Sequence, residues 1–307
     1  MDAPRIALFL NSGSNDYQRL LEEDCIAAAR RRNASVQVFA ANTDHDTQER
    51  QIRAVLAQPL LRRPTVILVC PVREASLRLV AREAVAQGIG WVLLNRWSDY
   101  VHALREEFPR VPIFAVSPNQ QEIGQIQARQ FLLLAPRGGE LVYIRGPLGT
   151  SSAQRRFTAM QDVLVAAPFK VVAINSDWTS DGGERAMREW IQVFNRGSFP
   201  EFIVGAQSDN MAVGARLALL EWAAANQRAV ENVRFTGCDG LAAQGQRLVS
   251  EGVLAATVVV PSVASRAIDE LGSMLQTGRA PSAEILLSVA SYPELATLER
   301  TLRAKPK

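Results

Sequence analysis

Guanidinium, carboxyl, amide and indole groups stand just after short apolar runs in this sequence, at points where they can converge. The run Leu141-Val142-Tyr143-Ile144 is followed by Gly146, Pro147 and Gly149, which predicts a buried strand that ends in a turn. Arg155 and Arg156 follow, in the first turn of a predicted helix with Ala153, Phe157, Met160 and Leu164 on its apolar face and Ser151 or Ser152 as N-cap. Asn95, Arg96 and Trp97 follow the apolar run 91–94 directly. Arginine offers five fixed donors, asparagine a donor and an acceptor, and tryptophan a flat apolar face. Those groups suit a hydroxylated ring. A solvated loop with a half-buried indole is the other reading of the same residues.

Four more strand ends carry similar groups. They are the polar loop 11–18 containing Asn15 and Tyr17, then Asp177-Trp178, then Gln207-Ser208-Asp209-Asn210, and Gly237-Cys238-Asp239-Gly240. Ordinary turns and helix caps account equally for parts of this set, and Asp209 in particular reads as an N-cap as readily as a ligand contact. Three carboxyls, Asp177, Asp209 and Asp239, would supply acid-base chemistry only if two of them met in one site. No phosphate loop, dinucleotide fingerprint or nucleophile elbow accompanies them. No catalytic residue is therefore assigned, and an enzyme is not expected. The two histidines, His45 and His102, lie apart from any cysteine at ligand spacing, and Cys25, Cys70 and Cys238 sit in apolar surroundings without CxxC spacing. Three buried free thiols, with no metal and no cofactor, are the expectation.

The elements that would position these groups alternate regularly. Predicted strands lie at 6–10, 36–40, 65–69, 91–94 and 113–116, with helices at 17–31, 47–57 and 74–87, the last ended by Gly88. The rhythm then restarts. Helix 119–134 precedes strand 141–144, helix 151–165, strand 171–174, helix 184–194, strand 202–204, helix 210–225, strand 233–237 and a short helix 241–250. Strand 256–260, helix 263–275 and strand 285–289 follow, before a charged tail expected to fray. Strands alternating with helices in this way make βαβ units and parallel sheets, an α/β fold whose ligands bind at the carboxyl ends of the strands.

Composition limits the function further. The 307 residues suggest two lobes, and 48% hydrophobic with 21% charged residues is the balance of a soluble globular protein. With 34 basic and 31 acidic residues interspersed, the net charge of +3 gives little support for nucleic acid or an anionic membrane as partner. No apolar run reaches membrane-spanning length. The opening Met-Asp-Ala-Pro-Arg lacks the basic start and apolar core of a signal peptide.

Six segments, in order, resemble one family. They are the loop with Asn15 and Tyr17; the runs from Val69 to Leu77 and from Gly88 to Arg96; Ser117-Pro118-Asn119 with Ile123-Gly124; Gly149 to Phe157; Ala206 to Ala215; and Gly237 to Gly240. Over residues 6–289 the chain resembles the type I periplasmic sugar-binding proteins, of the ribose-binding kind, and the effector core of lac-repressor-like regulators. The resemblance implies two Rossmann-like lobes, 1–117 plus 261–287 and 118–260 plus 288–307, joined by three crossovers that form a hinge. It places the last helix in the first lobe and the last strand in the second.

By the same resemblance, ligand contacts fall on Asn15, Tyr17, Asn95 and Arg96 in the first lobe and on Arg156, Trp178, Ser208 and Asp239 in the second, with Val260 at a crossover. Arg155 would then face solvent. Tyr17 and Trp178 would stack on a sugar ring, and Arg96, Arg156 and Asp239 would hydrogen-bond its hydroxyls. This sequence has Asn95 where the family usually has Asp, Ser208 where Asn is common and Val260 where Gln is common. A less hydroxylated, differently shaped or partly anionic ligand is implied. The implied role is a solute-binding protein that closes on a monosaccharide, polyol or sugar acid and presents it to the permease of an ABC transporter or to a sensor, in the periplasm or outside the cell. The regulator alternative, which would be cytoplasmic, requires a DNA-binding segment before the first strand.

Overall fold

A strand that is apolar on both faces is stable only where helices cover both, and the strands here are of that kind. The computed structural model describes residues 4–13, 16–194, 202–230 and 232–304. The chain divides into two units: Met1–Pro118, Thr150–Ser152 and Ser262–Leu287 make the first, and Asn119–Gly149, Ala153–Pro261 and Ser288–Lys307 the second.

The first unit runs β1 (Arg5–Leu10), α1 (Asp16–Arg31), β2 (Ser35–Ala40), α2 (His45–Leu56), β3 (Val66–Val69), α3 (Arg78–Ala86), β4 (Gly90–Leu94), α4 (Tyr100–Glu107) and β5 (Ile113–Pro118). The second runs α5 (Gln120–Leu134), β6 (Gly139–Arg145), α6 (Ser151–Leu164), β7 (Phe169–Asn175), α7 (Ser180–Phe194), β8 (Phe202–Ala206), α8 (Asp209–Ala225), β9 (Arg234–Thr236), α9 (Arg247–Ser250) and β10 (Thr257–Val259). The chain continues with α10 (Ala264–Thr277), β11 (Glu284–Leu287), β12 (Ala290–Tyr292) and α11 (Leu295–Ala304).

In the first unit a six-stranded sheet is ordered β11-β5-β4-β3-β1-β2, and every pairing is parallel. Alternate residues of each strand enter opposite cores, as the two-residue period of a strand requires. Phe9, Ile67, Trp91 and Leu93 pack under α2, α3 and α4, while Leu8, Leu68, Val92 and Phe114 pack under α1 and α10. The second unit has a parallel sheet ordered β7-β6-β8-β9, and β10 pairs antiparallel with β12. Val142, Ile144 and Val204 face α7 and α8. Leu141, Tyr143 and Ile203 face α5, α6 and α11.

Four sequence expectations require correction. The final strand is split: its residues 284–287 join the first sheet beside β5 and are parallel to it, and only β12 pairs with a strand of the second unit. The tail is helical over Leu295–Ala304, because Leu298 buries against the core of the second unit and Leu302 packs beside it, and residues 305–307 lie outside the described residues. Helix α4, which the sequence reading omitted, buries Tyr100, Val101 and Leu104 in a segment too short to show two full apolar repeats. The predicted helix 74–87 begins as a 3₁₀ turn, Glu74–Leu77, and 241–250 begins as a π turn, Ala242–Gln246. Cys25, Cys70 and Cys238 are all buried free thiols, as expected.

Candidate ligand-binding site

In the second unit, polar groups collect where β6, β8 and β9 end. Gly124 in α5 sets the position of Arg156: a Cβ there would lie 2.1 Å from the Arg156 carbonyl oxygen, so only glycine lets α5 approach α6 this closely. Arg156 is 6% exposed. Its Nε donates to Gln120 Oε1 at 2.7 Å, and one terminal nitrogen donates to the Gln207 carbonyl at 2.8 Å and to Cys238 Sγ at 3.4 Å. Two of the polar partners that fix the fork are thus amide groups, which orient a guanidinium without neutralising it.

Trp178 stands beside that fork. The Arg156 guanidinium carbon is 5.6 Å from the centre of the indole, within cation-π range. The half-buried ring rests on Gly146, where an added Cβ would fall 2.0 Å from it. Trp178 itself has φ 70°, a left-handed conformation that a bulky residue adopts only when its surroundings hold it there. The neighbouring Asp177 is pushed up by burial, but hydrogen bonds from Thr179 and the Arg185 ion pair outweigh that and hold it below the usual carboxylate range. Asp177 therefore anchors the turn.

Asp209, left open in the sequence between a helix cap and a ligand contact, is bonded within the second unit. Ser208, only 2% exposed, is the N-cap of α8 and accepts from the Met211 N–H at 3.2 Å. Asp209 is not the cap. Its carboxylate accepts from Thr257 Oγ1 at 2.6 Å and from the Gly240 N–H at 2.8 Å, tying α8 to the loop after β9 and to β10. Burial pushes its pKa up to about 7, and these two hydrogen bonds limit the rise. Asp239, half-buried with φ 114°, is held by backbone hydrogen bonds to Val258 and Val260. Its pKa lies well above the usual range, first through desolvation and then through the charge of Asp209, while Arg156 draws it down. Burial likewise pushes Cys238 up to about 12. Val260 is buried.

The first unit has its own cluster at the strand ends. Tyr17, in the first turn of α1, is 7% exposed and donates its hydroxyl to Asn95 Oδ1 at 3.0 Å. Asn95 adopts φ 63°, which asparagine tolerates better than most residues. Arg96 is 5% exposed and donates to the Ser152 hydroxyl of the same unit. Ser151 donates its backbone N–H at 2.9 Å and its hydroxyl at 2.7 Å to Glu74, and Trp97 N–H donates to Ser151 Oγ at 3.3 Å. Neither serine is the N-cap expected for α6, because the helix already begins at Ser151. Arg155 is half-buried rather than solvent-facing, and Asn15 lies outside the described residues.

The predicted residues therefore fall into two sets. Tyr17, Asn95 and Arg96 come together in the first unit, and Arg156, Trp178, Ser208 and Asp239 in the second. The sequence reading missed the glutamines that orient the second set: Gln120, Gln127 and Gln130 of α5, and Gln207. Gln127 accepts from the Tyr143 hydroxyl at 2.6 Å, and Gln207 accepts from the Gly146 N–H at 2.9 Å and donates to the Ala153 carbonyl at 3.0 Å. Their signal was present. Gln120, Gln127 and Gln130 share a helix face with Ile123, Phe131 and Leu134, where a polar residue must be satisfied inside the protein.

Residues 6–278 match the family model described as a periplasmic binding protein domain. The chain belongs to that family. This periplasmic binding protein is 30% identical over 190 residues to the xylitol-binding protein of Mycolicibacterium smegmatis, a match covering 59% of this chain and 48% of the relative. It is 23% identical over 257 residues to the D-ribose/D-allose-binding protein of Pseudomonas aeruginosa, covering 83% of this chain and 76% of that one. Among solved structures, a galactofuranose binding protein superposes with a TM-score of 0.82 at 19% identity, covering 98% of each chain. That likeness shows the α/β fold with its parallel sheets. The relatives are named as binding proteins, not as enzymes. Among the described residues, no helix is long and apolar enough to cross a membrane.

Proposed function

We propose that this chain captures a small sugar, polyol or sugar acid and presents it to a membrane permease or a sensor protein. The residues proposed for ligand contact are Arg156, Trp178, Ser208 and Asp239 in the second unit and Tyr17, Asn95 and Arg96 in the first. The observation that carries this reading is the grouping of Arg156, Trp178 and Asp239. A guanidinium fork supplies directional donors to oxygen, an indole face covers the C–H side of a ring, and an acid accepts from or donates to a hydroxyl. The relatives named for xylitol and for D-ribose and D-allose support ligands of that chemistry.

The charge balance narrows the class. Gln120 and the Gln207 carbonyl hold Arg156 through neutral groups, and Asp239, the acid whose charge it meets, lies well above the usual range through burial and the charge of Asp209. This pairing favours a ligand with an electron-rich hydroxyl cluster or a carboxylate. A thermal-shift screen of xylitol, D-ribose, D-allose, myo-inositol and their acid derivatives tests the class, because a ligand bound only to the native state raises Tm by mass action. A rise confined to amino acids or peptides would contradict the proposal.

A further inference from the structure

The Arg156 guanidinium has five N–H groups in one plane, one on Nε and two on each terminal nitrogen. Nε donates to Gln120 Oε1 at 2.7 Å, and Nη1 commits both of its hydrogens, to the Gln207 carbonyl at 2.8 Å and to Cys238 Sγ at 3.4 Å. The other two N–H groups are both on Nη2. The groups that hold the fork are themselves fixed. Gln120, 3% exposed, opens α5 one turn before Gly124, so one face of that helix meets both the side chain and the backbone of Arg156. Residue 207 is locked through its side chain, which accepts from the Gly146 N–H and donates to the Ala153 carbonyl.

A carboxylate binds a guanidinium most strongly through two parallel N–H···O bonds from two different nitrogens. Only two edges of the fork offer such a pair, Nε with Nη2 and Nη1 with Nη2. Each contains a nitrogen already committed within the second unit. A hydroxyl needs less. Nη2 alone can donate to its oxygen, and the carboxyl of Asp239, whose shift responds to the Arg156 charge, can accept its hydrogen in either protonation state. We propose that Gln120 makes this site select uncharged sugars or polyols over the corresponding acids, by keeping Nε out of the paired contact that a carboxylate favours. This selectivity rests on the sugar reading of the same site and narrows it.

Calorimetric titration of the full chain with three matched pairs tests this: xylitol and D-xylonate, D-ribose and D-ribonate, D-allose and D-allonate. In the pair that binds best, wild type should hold the neutral member at least about tenfold more tightly, a difference of about 1.4 kcal/mol. Gln120→Leu frees Nε while the Gln207 carbonyl still holds Nη1, so the ratio of the two affinities should move at least about tenfold toward the acid. Gln120→Glu returns an oxygen acceptor to Nε. It should recover most of the neutral affinity lost in Gln120→Leu and weaken the acid further, which a merely structural role for residue 120 would not produce. Cys238→Ala opens the other edge and should shift the ratio in the same direction as Gln120→Leu. Tighter binding of the acid by wild type, or a ratio that neither Gln120→Leu nor Cys238→Ala moves, would overturn the role of Gln120 and leave the sugar reading standing. No heat with either member of any pair would overturn both.

Discussion

The Arg156 guanidinium lies 5.6 Å from the centre of the Trp178 ring, and a glycine on each side makes that placement possible. Gly124 admits the Arg156 backbone and Gly146 admits the indole. Gly146→Ala should expel the ring, since its new Cβ would sit 2.0 Å from an indole carbon. Loss of the ligand-induced Tm shift and a red shift of tryptophan emission are expected, with secondary structure intact by circular dichroism. An unchanged shift would remove Trp178 from the site.

Gly124→Ala acts on the other side of the pair. The added methyl would meet backbone, the Arg156 carbonyl at 2.1 Å, which cannot rotate away as a side chain can. Overpacking of this kind costs about 1–3 kcal/mol. Urea unfolding should show a lower midpoint with an unchanged slope.

The buried acids of the second unit predict a pH dependence. Asp209 has its pKa raised to about 7 by burial, against about 3.9 in an unfolded chain. The native state therefore holds more protons than the unfolded state across that interval. The stabilising contribution is complete below the unfolded value and is lost as pH rises through the native one. Its titratable neighbours are Asp239 and Cys238, each of which also meets the Arg156 charge, and Asp239 shifts in the same direction. Stability should therefore fall as pH rises between roughly pH 4 and 7. Asp209→Asn should flatten that slope in melts across the same range. A slope identical to wild type would contradict the assignment of Asp209.

In the first unit, Tyr17→Phe removes the donor to Asn95 Oδ1 at 3.0 Å. A net loss of about 1 kcal/mol is expected, measured by urea unfolding without ligand. No loss would mean that Asn95 is held by its other partners.

Much of the fold was legible in the sequence because its strands are so apolar. Residues 66–69 and 91–94 leave no polar face, which by itself calls for helices on both sides of a parallel sheet. Periodicity failed where tertiary packing decides. Helix α11 exists because Leu298 is buried and Leu302 packs beside it, in a segment whose charges alone suggest solvent. The split of the last strand follows from pairing with β5, which no local pattern encodes. In the candidate site, the arginines and aromatics could be picked out by type and position, whereas Asp209 stayed open between a cap and a ligand contact. A carboxyl in the first position of a helix reads as a cap, and only the fold reveals that Thr257 and Gly240 bond it instead. The resemblance makes Tyr17 a stacking contact, and the bond from its hydroxyl to Asn95 is visible only in the fold.

The central claim is that Arg156 anchors a sugar-like ligand. Calorimetric titration of wild type and Arg156→Ala with the ligand giving the largest thermal shift tests it most directly. The account predicts saturable binding by wild type and a loss of at least about a hundredfold, near 2.7 kcal/mol, in a variant that still melts cooperatively. Equal affinity of the two proteins would contradict it.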